Sequence, residues 1–156
     1  MMEKVYSVDD VADWFLNKKE MTPKKLQKLV YYAYAWTLTL FNDSADKLNT
    51  KLFNEKIRAW VHGPVVGKLY HEYEDYGYNL IPRKTTRPKF TSDVEDILDQ
   101  VWQLYGKYTA NELESLTHQE TPWQNARKGL TPLETGHNVI LDKDIYEYFI
   151  QKLNND

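Results

Sequence analysis

The segment from Leu26 to Leu40 constrains the fold more than any other part of the chain. Apolar residues recur in it every three or four positions, and the tyrosines within residues 31–34 widen the apolar stripe. A helix that is apolar around most of its circumference is typical of a buried position. Thr22 is placed as its N-cap and Pro23 as its first residue. The sequence therefore predicts a central helix that ends near Asn42 and is surrounded by the other elements.

Capping residues and apolar periodicity predict further helices on both sides of this segment. The N-terminal signals are Ser7, the capping boxes Ser92/Glu95 and Thr109/Glu112, and Asp142. Alternating polarity in residues 56–61 predicts a short strand, residues 79–81 are a possible second one, and Pro64 is placed to open a helix. The predicted fold class is mainly α. We expect residues 1–156 to form one compact helical bundle of five to seven helices, with at most a short two-stranded β element.

Composition and charge argue against several classes of protein. The net charge of −3 argues against a general nucleic-acid binder, which needs clustered positive charge. The absence of cysteine excludes disulfides, thiolate metal sites and a cysteine nucleophile. Residues 1–10 lack the apolar core of a signal peptide, and no apolar stretch is long enough to span a membrane. We therefore expect a cytoplasmic protein that has no membrane partner.

The histidines offer the main route to an enzymatic function. No two of the four have the i, i+4 spacing of a helical metal site, and no phosphate-binding loop or nucleophile elbow is present. His62, His118 and Glu120 could form a composite hydrolase site if their two turns meet. The alternative is that these histidines only hydrogen bond to backbone groups at turns and helix ends. We favour that alternative and expect no catalytic residue, metal or cofactor.

Three segments together resemble one protein family. They are Leu26–Trp36 (LQKLVYYAYAW), Ile57–Val66 (IRAWVHGPVV) and Leu116–Trp123 (LTHQETPW). Their order and spacing are similar to those of the SocA-like antitoxins, also called the Panacea domain and found among GepA-like phage-associated proteins. The resemblance extends from about residue 8 to residue 127 and includes all three motifs in order.

The resemblance implies a compact helical domain that neutralises a cognate protein toxin by direct binding. It further implies that the toxin is encoded by an adjacent gene. One alternative is that the chain acts as an adapter that delivers a toxin to a host protease such as ClpXP. The second alternative is the small hydrolase based on His62, His118 and Glu120.

Aromatic and basic residues in and near the motifs are candidates for contact with the partner. Protein interfaces bury about 800 Å² on each side, and a few aromatic or arginine anchors carry most of the binding energy. The candidates for partner binding are Lys28, Tyr31, Tyr34, Arg58, Tyr70, Tyr73 and Trp123. We expect the other motif residues to have structural roles: Leu26, Trp36, Trp60, His62, Gly63, Pro64, Thr117, His118 and Pro122.

Overall fold

The computed structural model describes residues 5–155, which form seven α-helices, one 3-10 helix and a two-stranded antiparallel sheet. The helices are α1 (Val8–Lys18), α2 (Pro23–Leu40), α3 (Gly67–Tyr73), α4 (Ser92–Tyr105), α5 (Ala110–His118), α6 (Thr121–Ala126) and α7 (Asp142–Asn154), and the 3-10 helix is Glu74–Tyr76. The strands are β1 (Ile57–Trp60) and β2 (Gly63–Val66). This architecture confirms the predicted fold class. Residues 1–4, part of the segment judged above to lack a signal peptide, lie outside the described residues.

Helix α2 is the centre of the core, as the sequence predicts. Every residue from 26 to 35 is buried, and the helix packs against α1, α3, α4, α5, α7 and β2. Thr22 accepts a hydrogen bond from the backbone N–H of Lys25, and Pro23 is the first helical residue. The helix ends at Leu40, slightly before the predicted end near Asn42. Within residues 5–155, every helix is too short or too polar to cross a lipid bilayer.

An aromatic cluster joins α2 to α4 and α7. The rings of Tyr32 and Tyr105 stack with centroids 3.9 Å apart, and Trp36 Nε1 donates a hydrogen bond of 3.0 Å to the Tyr105 hydroxyl. Phe149 contacts the rings of both Tyr32 and Trp36 edge-on. Buried rings of this kind contribute large apolar areas, and each ring pair adds about 0.5–1.5 kcal/mol beyond that burial.

Two of the predicted helix starts differ from the observed ones by one residue. Thr91, not Ser92, is the N-cap of α4, and its side chain makes no capping hydrogen bond. Because Thr91 is the N-cap, Glu95 lies one position beyond the capping-box site, and its carboxylate accepts a hydrogen bond of 3.0 Å from Nε1 of Trp14. Asp142 is the first residue of α7 and not its cap. The capping box at Thr109 and the cap at Ser7 are confirmed.

The prediction that Pro64 opens a helix is wrong, because Pro64 lies within β2, opposite Ala59 of β1. Ala59 directs both backbone groups away from β2: its N–H donates to Asn138 and its carbonyl accepts from Arg127. Position 64 therefore does not need the N–H that proline lacks, which is how proline is tolerated in a strand. The helix that follows starts at Gly67.

The partner of β1 is thus the segment directly after the turn. The possible second strand at residues 79–81 contributes only an isolated bridge between Ile81 and Met21.

Candidate functional site

The three sequence motifs meet around Gly63, at the end of the β-hairpin turn. Gly63 is buried with a φ of +111°, a conformation that residues with a Cβ rarely adopt. A Cβ at this position would lie 2.6 Å from Cε of Lys28 and 3.1 Å from Oγ1 of Thr117. Glycine is therefore required both by its backbone conformation and by the close approach of the other two motifs.

Gln27 fixes the hairpin to α2. Its side-chain amide donates to the carbonyl of Val66 over 3.0 Å and accepts from the Val66 N–H over 2.9 Å. The amide thus satisfies both backbone groups of Val66 in the way a neighbouring strand would. Because Gln27 is buried, removing it would leave both of these groups without partners, which costs about 1–3 kcal/mol for each group.

Lys28 lies beside this clamp and is only 1% exposed. Its Nζ donates to the carbonyl of Pro64 over 3.2 Å, and Lys28 forms no ion pair with a carboxylate of residues 5–155. Burial lowers the pKa of Lys28 from the ordinary 10.5 to about 7, and the nearby charge of Lys24 acts in the same direction. The charge of Glu114 opposes this shift but does not offset it.

A groove of about 460 Å³, which we call the Lys28 groove, opens beside this lysine. Its lining is mainly apolar and includes Leu26, Lys28, Trp60, His62, Val65, Leu69, Tyr70, Tyr73 and Tyr78. Tyr70 is 41% exposed and Tyr78 is 94% exposed, while the ring of Trp60 lies 4.8 Å from that of Tyr70. The groove therefore combines exposed aromatic rings with a buried amine, which is the composition of a binding surface.

The third motif fastens α6 to the hairpin. Nε1 of Trp123 donates a hydrogen bond of 2.9 Å to the carbonyl of Trp60, and the imidazole of His118 stacks on the Trp123 ring at 3.9 Å. Burial lowers the pKa of His118 below its ordinary value of 6.5. Trp123 is thus hydrogen-bonded to the end of β1, and His118 packs against the tryptophan ring.

The geometry does not assemble the composite hydrolase site. Glu120 is 1% exposed and accepts from the hydroxyl of Tyr32 at 3.1 Å, while His62 pairs with Glu114 at 3.1 Å. Neither His62 nor His118 forms a hydrogen bond with Glu120 in the described part of the chain. Burial raises the pKa of Glu120 to about 8, so its carboxyl group is mostly protonated at neutral pH. Among residues 5–155, no group of three His, Asp or Glu residues is placed to hold a metal ion.

The structure separates the predicted contact residues into accessible and buried sets. Tyr31 is 1% exposed and Tyr34 is 4% exposed, with its hydroxyl bonded to Asp142, and neither ring lines the groove. Tyr70 is exposed, and Tyr73 is largely buried in the lining of the groove. Arg58 is exposed and lies outside the groove, where it donates to the carbonyl of His137.

The residues expected to be structural occupy the positions around these contacts. Leu26, Gly63, Pro64, Thr117 and Pro122 are buried, and Trp36 is partly buried. Trp60 differs from the expected core ring, because it is only partly buried and lines the groove. His62 is exposed at the turn.

Sequence reasoning missed Tyr78, Val65 and Leu69 as lining residues. Val65 and Leu69 lie within or just after the second motif, whereas Tyr78 follows the 3-10 helix. The apolar i, i+4 pair of Val65 and Leu69 next to Tyr70 was the available signal for the first two. No pattern in the sequence distinguishes Tyr78 from the other tyrosines.

Comparison with curated proteins finds no match, and comparison with solved structures finds none either. Comparison with protein-family models matches residues 26–124, well over half of the chain and the span that holds all three motifs. The chain therefore belongs to the family described as antitoxin SocA-like, Panacea domain.

Proposed function

We propose that this protein is the antitoxin of a toxin-antitoxin system and that it neutralises a cognate protein toxin by direct binding in the cytoplasm. The observation that carries the proposal is the match of residues 26–124 to the SocA-like antitoxin domain. The protein acts as a binding partner and not as an enzyme. In support, no hydrogen bond or ion pair within residues 5–155 joins His62, His118 and Glu120 to one another. His62 pairs with Glu114, His118 stacks on Trp123, and the buried Glu120 accepts a hydrogen bond from Tyr32.

The Lys28 groove is the proposed contact surface for the toxin. It is lined by residues of the first two motifs, and its rim carries the exposed rings of Tyr70 and Tyr78. Tyrosine is enriched at interface positions that dominate binding energy, because it buries a large area with little loss of side-chain freedom. A toxin seated here would be neutralised by occlusion of its own active surface.

Co-expression with the product of an adjacent gene tests the proposal. We expect the neighbouring product to stop growth when expressed alone, and co-expression of this protein to restore growth. The two proteins should then purify together as one complex. A neighbour that is harmless alone, or toxic but not rescued, would contradict the proposal.

Repeating the rescue in a host that lacks ClpXP distinguishes occlusion from delivery to a protease. Rescue by occlusion needs only the complex and should be unchanged in this host. Loss of rescue together with persistence of the toxin would instead indicate the adapter mechanism.

A further inference from the structure

Within residues 5–155, no carboxylate forms an ion pair with Lys28, although it is one of the most buried side chains. An ammonium group has three N–H donors, and the hydrogen bond to the Pro64 carbonyl uses one of them. Buried charged groups in proteins are usually paired, because an uncompensated charge is costly to desolvate. Lys28 thus has unused donors at a position that lines an open groove.

The neighbouring charges do not supply the missing partner. Glu114 is the acidic residue whose charge acts on Lys28, but its carboxylate pairs with Lys24 and with His62. Lys24 also donates to Asn111 over 2.8 Å, so both of these groups are already engaged. His118, the other titratable group that interacts electrostatically with Lys28, is cationic when charged and cannot neutralise it.

We propose that the Lys28 groove binds an acidic side chain of the partner protein, whose carboxylate pairs with Lys28 while flanking apolar residues contact Tyr70 and Trp60. This inference rests on the proposed function, since it takes the groove as the contact surface for the toxin. An Asp or Glu in a mainly apolar segment is the chemistry that matches a lone buried amine with aromatic walls.

The ionisation of Lys28 gives the pairing a measurable signature. Since the pKa of Lys28 is about 7 in the free protein, the amine is largely neutral at about pH 8.5. A bound carboxylate favours the ammonium form, so binding takes up a proton above neutral pH. Affinity should therefore fall as the pH rises from about 7 to 9. Lys24, Glu114 and His118 interact electrostatically with Lys28, and His62 and Glu74 also line the groove. Variants of Lys28 separate its contribution from theirs.

A matched pair of small probes tests the site in the intact protein without the toxin. 3-Phenylpropionate carries a ring for the groove and a carboxylate for Lys28, whereas 3-phenylpropionamide has the same shape without the charge. In NMR titrations at about pH 6.5, where Lys28 is mostly charged, we expect the acid to shift the resonances of Tyr70 and Trp60. We expect it to bind about tenfold more tightly than the amide. Equal affinity for acid and amide, or shifts located elsewhere, would overturn the proposal.

Lys28→Met keeps the length of the side chain and removes its charge, and Lys25→Met is the matched control. Lys25 lies on the same helix but outside the groove, where its Nζ donates to the carbonyl of Gly106. We expect Lys28→Met to abolish the preference for the acid and Lys25→Met to retain it. Thermal melts of both variants identify any loss of folding. A preference that persists in folded Lys28→Met would also overturn the proposal.

Binding of the purified toxin then separates this inference from the proposed function. If wild-type protein binds the toxin and Lys28→Met binds at least tenfold more weakly, both stand. If wild-type protein and Lys28→Met bind the toxin equally, the antitoxin function stands and the acidic contact is rejected. If neither binds while the probes show the acid preference, the carboxylate site stands and the proposed function is rejected.

Discussion

A Cβ on Gly63 would lie 2.6 Å from Cε of Lys28, so the hairpin turn packs directly against the buried lysine side chain. The turn brings the Pro64 carbonyl to the lysine Nζ, and the lysine stem in turn fills the space beside the turn. The close approach of Gly63 to Lys28 therefore joins the second motif to the first.

Gly63→Ala should therefore lower the free energy of unfolding by about 2–5 kcal/mol, from backbone strain at positive φ combined with overpacking against Lys28. Gly67→Ala is the control, since nothing lies within 4 Å of its Cβ position. Its stability should stay within about 0.5 kcal/mol of wild type. Urea denaturation of both variants measures the difference, and equal stability would show that the contact at Gly63 is relieved without cost.

The central helix could be predicted from the sequence because its signal is local and repeated. Every leucine, valine and tyrosine from residue 26 to residue 38 is buried, in line with the repeated apolar pattern, and Thr22 with Pro23 marks the start of the helix. Ser92 and Glu95 illustrate the limit of such signals. Their spacing is that of a capping box, but Thr91 is the N-cap, and the Glu95 carboxylate accepts a hydrogen bond from Trp14, which is distant in the sequence.

The burial of Lys28 beside the groove could not be predicted from the sequence, because it depends on tertiary contacts. Lysine is usually exposed, and nothing near Lys28 in the sequence indicates that β2 and α5 cover it. Tyr31 and Tyr70 show the same limit for aromatic residues. Both lie in motifs, but packing buries the first and leaves the second at the surface.

Replacing Tyr70 by alanine tests which of two apolar surfaces contacts the toxin. A second groove of about 600 Å³ lies between α4 and α7, where Leu104 is 54% exposed. We expect Tyr70→Ala to weaken toxin binding at least about tenfold, because exposed tyrosines at interface centres are common energetic anchors. Leu104→Ala should bind normally. Isothermal titration calorimetry measures both, and the reverse pattern would place the contact on the second groove.

His118→Ala should destabilise the protein without abolishing neutralisation. The loss of the stacked pair with Trp123 is expected to lower the free energy of unfolding by about 1–2 kcal/mol. His118→Phe is the matched variant, because it preserves a ring over Trp123 and removes the acid-base group. Growth rescue by His118→Phe should equal that of wild type. Complete loss of rescue by this variant, with the fold intact, would revive a catalytic role for the histidine.

The buried carboxyl group of Glu120 should make stability fall as the pH rises toward 8. Its pKa in the folded protein is about 8, above the ordinary value of 4.5, so the folded state holds the proton that the unfolded state releases. The stabilisation is complete below pH 4.5 and is lost as the pH rises through the folded pKa, with a slope of about 1.4 kcal/mol per pH unit. Glu120→Gln keeps a hydrogen-bond partner for Tyr32. We expect urea denaturation to show that this variant lacks the slope between about pH 5 and 8; an unchanged slope would contradict the assignment.

Lys28 should make the free energy of unfolding rise with pH above about pH 7, the opposite of the effect of Glu120. Its pKa of about 7 in the folded protein lies below the ordinary 10.5, so between these values the unfolded state binds the additional proton. Stability therefore rises with pH from about 7 upward, and together with Glu120 this predicts a minimum near pH 7–8. In Lys28→Met, denaturation curves should lose the rise measured to about pH 9.5, and the variant should be more stable than wild type at neutral pH by about 1–3 kcal/mol. Lys25→Met is the comparison variant: burial also lowers the pKa of Lys25, so this variant should lose part of the rise as well. If Lys28→Met retained the full rise, the amine would have to be charged in the folded protein throughout this range.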